Sequence, residues 1–329
     1  MFNKITIYGA GAIGGWLGAR LAAQGADLSA VARGDTLAAL RAHGLRLRED
    51  GAGGERAHPV RAAEHPAELG AQDLVIVAVK APALAQVAWH IGPLLGPETV
   101  VLTAMNGVPW WFPQGFGGAL AGARLQSVDP DGAIGQAIPV RHVIGAVVHA
   151  SCSLDAPGVV RRHFGNGLIV GEPAAGDTPR LRALAALLRG AGFDATASPR
   201  IQQDVWYKLW GNMTINPISA LTGATADRVL DDELVRGFAS RVMAEAREIG
   251  ARLGVPIEQT PEDRHAVTRR LGAFRPSMLQ DVEAGKAVEI DALVGSVREL
   301  GQLAGVPTPF TDALLGLSRL HARGRGLYA

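Results

Sequence analysis

The run Lys4-Ile5-Thr6-Ile7-Tyr8-Gly9-Ala10-Gly11-Ala12-Ile13-Gly14 decides how the first half of this 329-residue chain folds. Residues 4–8 are a short β-branched and aromatic run, the composition of a strand. Residues 16–24 read as a helix, with Ile13, Leu17 and Leu21 on one side and Gly25 as its stop. Between them each glycine has a physical use: Gly9 allows a tight turn, Gly11 lets backbone approach a pyrophosphate, and Gly14 lets the helix pack close to the strand. The helix N-terminus then offers free N–H groups and partial positive charge to phosphate. A bare glycine pattern is weak evidence. Its place between a strand and a helix makes Gly9, Ala10, Gly11, Ala12, Ile13 and Gly14 a dinucleotide-binding loop.

The next strand, residues 27–32, ends where an adenosine ribose would lie. An NAD site puts an acid near this point to hold the ribose hydroxyls. Here Arg33-Gly34 follows instead. A guanidinium pairs with a 2′-phosphate and stacks on adenine, so NADP is favoured over NAD. Asp35 is a rival ribose contact, and an arginine at a strand end can also be simply solvated. Residues 73–79 are a continuous apolar run, consistent with a buried parallel strand, and they end in Lys80-Ala81-Pro82. Ligands of open α/β sheets bind beyond the carboxyl ends of the strands, which puts Lys80 where a cofactor phosphate or ribose is met. Residues 99–104 form another strand that stops at Met105-Asn106-Gly107. Asn106 can donate to and accept from a substrate or the nicotinamide ribose, although Asn-Gly is also an ordinary turn.

Further along, the glycine-rich residues 50–55 read as a hairpin or surface loop, residues 143–150 as a strand, and residues 181–189 as a helix. Residues 158–162 and 168–171 read as a hairpin pair joined through Gly165-Asn166-Gly167. Strands disappear from residue 201 onward, after Pro199. The expected organisation is an α/β Rossmann-like N-terminal domain over residues 1–198 and an all-α C-terminal domain over residues 199–329.

The second domain opens on Trp206-Tyr207-Lys208-Leu209-Trp210-Gly211-Asn212-Met213-Thr214-Ile215-Asn216-Pro217. On a helix Lys208, Asn212 and Asn216 share one stripe, while Val205, Trp206, Leu209, Trp210, Met213 and Ile215 pack inward. A lysine and two amides beside that much apolar surface must be hydrogen-bonded or face a wet cavity. The blander reading is the polar stripe of a core helix. Asn216 directly before Pro217 favours a break there. Residues 232–253, 290–304 and 310–323 read as further helices, and residues 261–270 as a charged stretch. Glu289 is a lone acid at the start of an apolar helix, where it also suits the helix dipole.

Composition narrows the function classes. Thirty-two basic against 31 acidic residues, with 48% apolar content, describe a globular protein and give no sign of nucleic acid or a membrane surface as partner. The single cysteine, Cys152, excludes an internal disulfide framework and a clustered cysteine zinc site. The nine histidines are scattered, so no metal is expected. No membrane span or leader pattern stands out, and the expected location is cytoplasmic.

With a dinucleotide loop, then Lys208, Asn212 and Asn216-Pro217, then Ser277-Met278-Leu279-Gln280-Asp281 and Glu289-Ile290-Asp291, the chain resembles the ketopantoate reductases (2-dehydropantoate 2-reductases) over nearly its whole length. That family reduces the 2-keto group of ketopantoate with NADPH, making pantoate for pantothenate and coenzyme A biosynthesis. The resemblance implies Lys208 as catalytic lysine and proton donor, with Glu289 as the carboxylate beside it at the substrate. It implies Asn106, Asn212, Asn216 and Ser277 as substrate contacts, and Gly9, Gly11, Gly14, Arg33, Lys80 and Asn106 at the NADP(H) site. It also implies an active site between the two domains and, often, dimerisation through the helices. Two departures stand out: Val108-Pro109-Trp110-Trp111-Phe112 replaces a small turn with three aromatics able to reshape a substrate pocket, and Ala83 replaces a glutamine on the adenosine side. A reductase of another 2-keto acid on the same fold, and a non-catalytic NADP(H)-binding sensor, are the competing readings. The chemistry agrees with the residues taken alone, because hydride reaching a ketone carbon charges the oxygen, and a protonated lysine offers both a cation and a proton there.

Overall fold

The computed structural model describes residues 2–49 and 54–328. The chain divides into two compact units: the first takes the residues up to Met105 together with Ala133–Ile201, the second Asn106–Gly132 together with the residues from Gln202 on.

The first unit is built from β1 (Lys4–Tyr8), α1 (Ala12–Ala23), β2 (Asp27–Val31), α2 (Gly34–His43), β3 (Leu45–Glu49), β4 (Glu55–His58), β5 (Arg61–Ala63), β6 (Gln72–Val77), α3 (Leu84–His90), β7 (Leu95–Thr103), α4 (Ala133–Ala137), β8 (Val143–Ala156), β9 (Val159–Gly171), α5 (Pro179–Gly190) and β10 (Asp194–Ala197). Six strands run parallel in the order β5-β2-β1-β6-β7-β8. Numbered among themselves these read 3-2-1-4-5-6, the order of a dinucleotide-binding sheet, with the switch point between β1 and β6. β9 continues the sheet antiparallel to β8, and β3, β4 and β10 extend it. Ile5, Ile7, Leu74 and Ile76 of the central strands and Trp16, Leu17 and Leu21 of α1 are fully buried. Each such side chain contributes roughly 1.5–3 kcal/mol on leaving water. α1 begins four residues earlier than its apolar pattern suggests, directly after Gly11.

Gly165-Asn166-Gly167 is not a hairpin turn. β9 runs straight through it, and the register passes from His149↔Gly167 to Ala150↔Gly165, so Asn166 is the extra residue of a β-bulge. Gly165 has φ +77°, and a Cβ there would lie 2.4 Å from the His149 carbonyl oxygen. Turns and bulges both recruit glycine for that backbone conformation, which is why the local pattern misleads. The hairpin is instead β8–β9, and it turns at Pro157-Gly158. β3 and β4 pair antiparallel on either side of the glycine-rich segment, of which residues 50–53 lie outside the described residues.

The second unit contains α6 (Ile201–Thr222, whose first residue belongs to the first unit), α7 (Ala226–Asp231), α8 (Glu233–Leu253), α9 (Pro261–Arg269), α10 (Ser277–Glu283), a π-helical turn at Asp291–Gly295, α11 (Ser296–Ala304) and α12 (Pro309–Gly324). Val205, Trp206, Leu209, Trp210, Met213 and Ile215 of α6 are all buried, and the Trp210 indole donates to the Met243 carbonyl at 2.8 Å. The expected break at Asn216-Pro217 does not occur, and α6 continues to Thr222 with Pro217 inside it. An internal proline costs a helix about 3 kcal/mol. Buried apolar side chains on both sides of it, among them Met213, Ile215 and Ile218, outweigh that local preference.

Asn106–Gly132, inside the stretch expected as the N-terminal domain over residues 1–198, groups with the second unit. Trp110, Trp111 and Phe112 are buried, and Phe112 packs on Trp206 with ring centroids 6.0 Å apart. Gln202 donates to the Gln114 carbonyl at 2.7 Å, and the Glu299 carboxylate accepts from the Gln126 and Ser127 N–H groups at 2.6 and 2.8 Å. Phe112 thereby ties this segment into the helical core. Among the described residues no helix is long and apolar enough to cross a membrane, and no cluster of three or more His, Cys, Asp or Glu side chains is placed to hold a metal ion.

Candidate active site

Each unit carries its own group of candidate residues. In the first, a cavity of about 500 Å³ opens beyond the carboxyl ends of β1, β2 and β5. Gly9, Ala10 and Gly11 form its floor, and Arg33, Thr36, His65, Gln86 and His90 are among the polar residues around it. Gly9 has φ +97°, and a Cβ there would meet Val79 at 2.6 Å. A Cβ on Gly14 would lie 2.1 Å from the Gly9 carbonyl oxygen and 3.0 Å from Ile7 and Ala78 side-chain carbons, so only glycine lets α1 start this close to the sheet. At Gly11 a Cβ would meet nothing within 4 Å, which leaves its backbone open to an incoming group.

Ala12, Ile13 and Gly14 form the first turn of α1 and do not line the cavity, whereas their N–H groups belong to the helix end that has no intrahelical partner. Such a floor of glycine backbone with a helix N-terminus behind it suits a pyrophosphate. Arg33 is exposed at the N-cap of α2 and lines the cavity beside Thr36, whereas Asp35 does not line it. Burial raises the Tyr8 phenol above its ordinary value against the pull of Arg33, so the phenol stays neutral at physiological pH. The residues present fit a phosphorylated dinucleotide.

Lys80 is placed differently from the expectation. It is half-buried before the short turn Ala81–Ala83, and it does not line this cavity although Val79 and Ala83 do. Thr36, His65, Gln86 and His90 went unnoticed in the sequence. A signal was available for Thr36, which follows the expected strand of residues 27–32 within a few residues.

In the second unit the Lys208 ammonium donates to the Asn106 carboxamide oxygen at 2.8 Å. Burial pushes the Lys208 ammonium down to about 8, and the Glu289 carboxylate works against that fall. Desolvation disfavours the charged form and a nearby anion restores part of it. Lys208, Asn106 and Glu289, distant in sequence, are thus one electrostatic group. Asn212 and Asn216 follow Lys208 along the unbroken α6, the first half-buried and the second buried. Neither carboxamide has a hydrogen-bond partner among the described residues. A carboxamide can both donate to and accept from another molecule. Ser277 sits exposed as the first residue of α10, and no described contact joins it to Lys208.

Comparison with known proteins identifies the family of both stretches of the chain. Residues 5–175 match the family described as ketopantoate reductase PanE/ApbA, and residues 200–322 match its C-terminal model. The chain is 49% identical over 327 residues to a 2-dehydropantoate 2-reductase of Mesorhizobium japonicum, covering 99% of this chain and 100% of that one. A solved chain from Ralstonia solanacearum MolK2, whose name places it with the ketopantoate reductases, is 60% identical with a TM-score of 0.94 and full coverage of both chains. The 2-dehydropantoate 2-reductase of Geobacter metallireducens GS-15 is 27% identical with a TM-score of 0.83, over 96% of this chain and 99% of that one. With both halves matched in order, the chain belongs to the ketopantoate reductase family.

Proposed function

We propose that this protein reduces the 2-keto group of ketopantoate to the alcohol of pantoate with NADPH, as a step of pantothenate and coenzyme A biosynthesis. The observation that carries this reading is the desolvated Lys208 ammonium, hydrogen-bonded to Asn106 and balanced by Glu289. When bound, NADPH supplies the hydride. Gly9, Ala10 and Gly11 hold its pyrophosphate in the proposal, and Arg33 its 2′-phosphate, with Lys80 in a supporting place just outside the described cavity.

The rest falls to this chain's own side chains. As the keto carbon gains hydride, its oxygen gains the electron pair of the broken π bond and becomes an alkoxide. Lys208 gives that oxygen a proton and, until it does, stabilises the growing charge. An ammonium near pKa 8 is a better acid than an ordinary lysine, yet is still mostly protonated at neutral pH. Asn106 and Glu289 keep it charged and aimed. Asn212 and Asn216 are assigned to the substrate's hydroxyl and carboxylate, and Ser277 to an outer contact of the same substrate.

NADPH absorbance on adding ketopantoate tests the reaction. Because Lys208 acts in its protonated form, turnover should hold below pH 8 and fall as pH rises through about 8, where the ammonium is lost. No oxidation with ketopantoate, against rapid oxidation with another branched 2-keto acid, would overturn the substrate assignment. A flat profile up to pH 10 would overturn the proton-donor role. We place the protein in the cytoplasm as a homodimer joined through its helical unit. Sedimentation at the mass of a single chain would contradict that assembly.

A further inference from the structure

The backbone just beyond Glu289 is not an ordinary helix start. Asp291–Gly295 forms a π-helical turn, in which one extra residue widens the helix and turns backbone groups out of the regular ladder. The Ala292 carbonyl in that turn accepts from the Val108 N–H at 2.8 Å and from the Ser296 hydroxyl at 2.9 Å. Gly107, between Asn106 and Val108, lies against the same peptide. It has φ +82°, and a Cβ built on it would stand 2.5 Å from the Ala292 carbonyl oxygen and 2.7 Å from its carbonyl carbon and Cβ. No side chain fits that gap, and an L-residue is strained in that backbone conformation. The turn carrying Asn106 is thus pressed onto, and hydrogen-bonded to, the backbone three residues beyond Glu289. Both residues act on one ammonium, that of Lys208.

We propose that Gly107 and Val108, docked on the Ala292 carbonyl, form a backbone latch that positions the site. It fixes Asn106 and Glu289 relative to each other and so sets the direction in which the Lys208 Nζ–H points. Gly107, Val108, Ala292 and Ser296 touch none of the reacting atoms and are positioning residues. An Asn-Gly turn left to itself samples several conformations, and each displaces the carboxamide that accepts from Lys208. Misplacement of a catalytic group by about 1 Å can cost 10²-fold in rate, so a rigid backbone contact is worth more here than packing alone.

The inference rests on the reading of Lys208 as proton donor, and its test separates the two. Gly107→Ala should lower kcat at least about tenfold, with KM for ketopantoate and affinity for NADPH within about threefold. The alkaline fall of kcat should also move to lower pH, because Lys208 loses an acceptor that favours its charged form. Where that variant fails to fold, replacing Val108 by its α-hydroxy acid keeps the side chain, adds no atom to the gap and removes only the N–H. The same loss and the same shift are expected. A folded variant of either kind with kcat within twofold of the parent and an unmoved alkaline fall overturns the latch, whatever its Tm. Lys208→Ala decides the underlying reading independently: retained turnover there sinks the proton-donor role, while lost turnover there with intact latch variants sinks only the latch.

Discussion

Lys208→Ala is expected to lower turnover by about 10²–10⁴-fold while leaving NADPH affinity within about twofold. The range is that of a positioned general acid, and the electrostatic help given to the forming alkoxide is lost with it. The cofactor cavity lies wholly within the first unit and Lys208 in the second, so the substitution touches none of the cavity's lining. Single-turnover absorbance measures the rate, and titration of NADPH fluorescence measures the affinity. Stability should change little or improve, since burying an ammonium is costly and alanine removes that cost. A variant that keeps more than a tenth of the parent's turnover would contradict the assignment.

Arg33→Asp is expected to weaken NADPH binding by about 10²-fold while NADH binding changes by no more than a few-fold. The change removes a charge-assisted contact to the 2′-phosphate and sets a like charge against it. A bare 2′-hydroxyl, by contrast, can donate to the new carboxylate. The position favours a clean result, because Arg33 is exposed at the rim of the cavity and carries no packing of the sheet. Fluorescence titration with the two cofactors reads the ratio directly. Unchanged selectivity would remove Arg33 from the cofactor site.

The sequence made the centre of the first unit legible because its signals are local. Gly14 is required by its approach to the Gly9 carbonyl within one strand–turn–helix segment, and although Gly9 abuts the distant Ala78 and Val79, its own tight turn is a local signal. The stripe of Lys208, Asn212 and Asn216 was legible for the same reason, since helical periodicity needs no distant partner. What misled was local preference set against remote packing. Pro217 suggests a helix end until the buried residues flanking it are counted, and Gly165-Asn166-Gly167 suggests a turn until β8 is known to run alongside. Asn106–Gly132 could not be assigned to the helical unit from its own residues, because its anchors, Trp206, Gln202 and Glu299, lie far along the chain. Glu289 was a lone acid in the sequence, and only the family resemblance placed it near Lys208. The π-helical turn left no pattern, because Ala292, Leu293, Val294 and Gly295 are all buried and present no one-sided stripe for an extra residue to shift.

The chain has four lysines, Lys4, Lys80, Lys208 and Lys286, which makes one titration decisive. With 13C,15N-lysine incorporated, the side-chain NMR signal that vanishes in Lys208→Ala can be followed against pH in the otherwise unchanged protein. It should titrate near 8, together with the fall in kcat. A Lys208 signal holding the ordinary lysine value of about 10.5, with kcat falling elsewhere, would contradict the central claim.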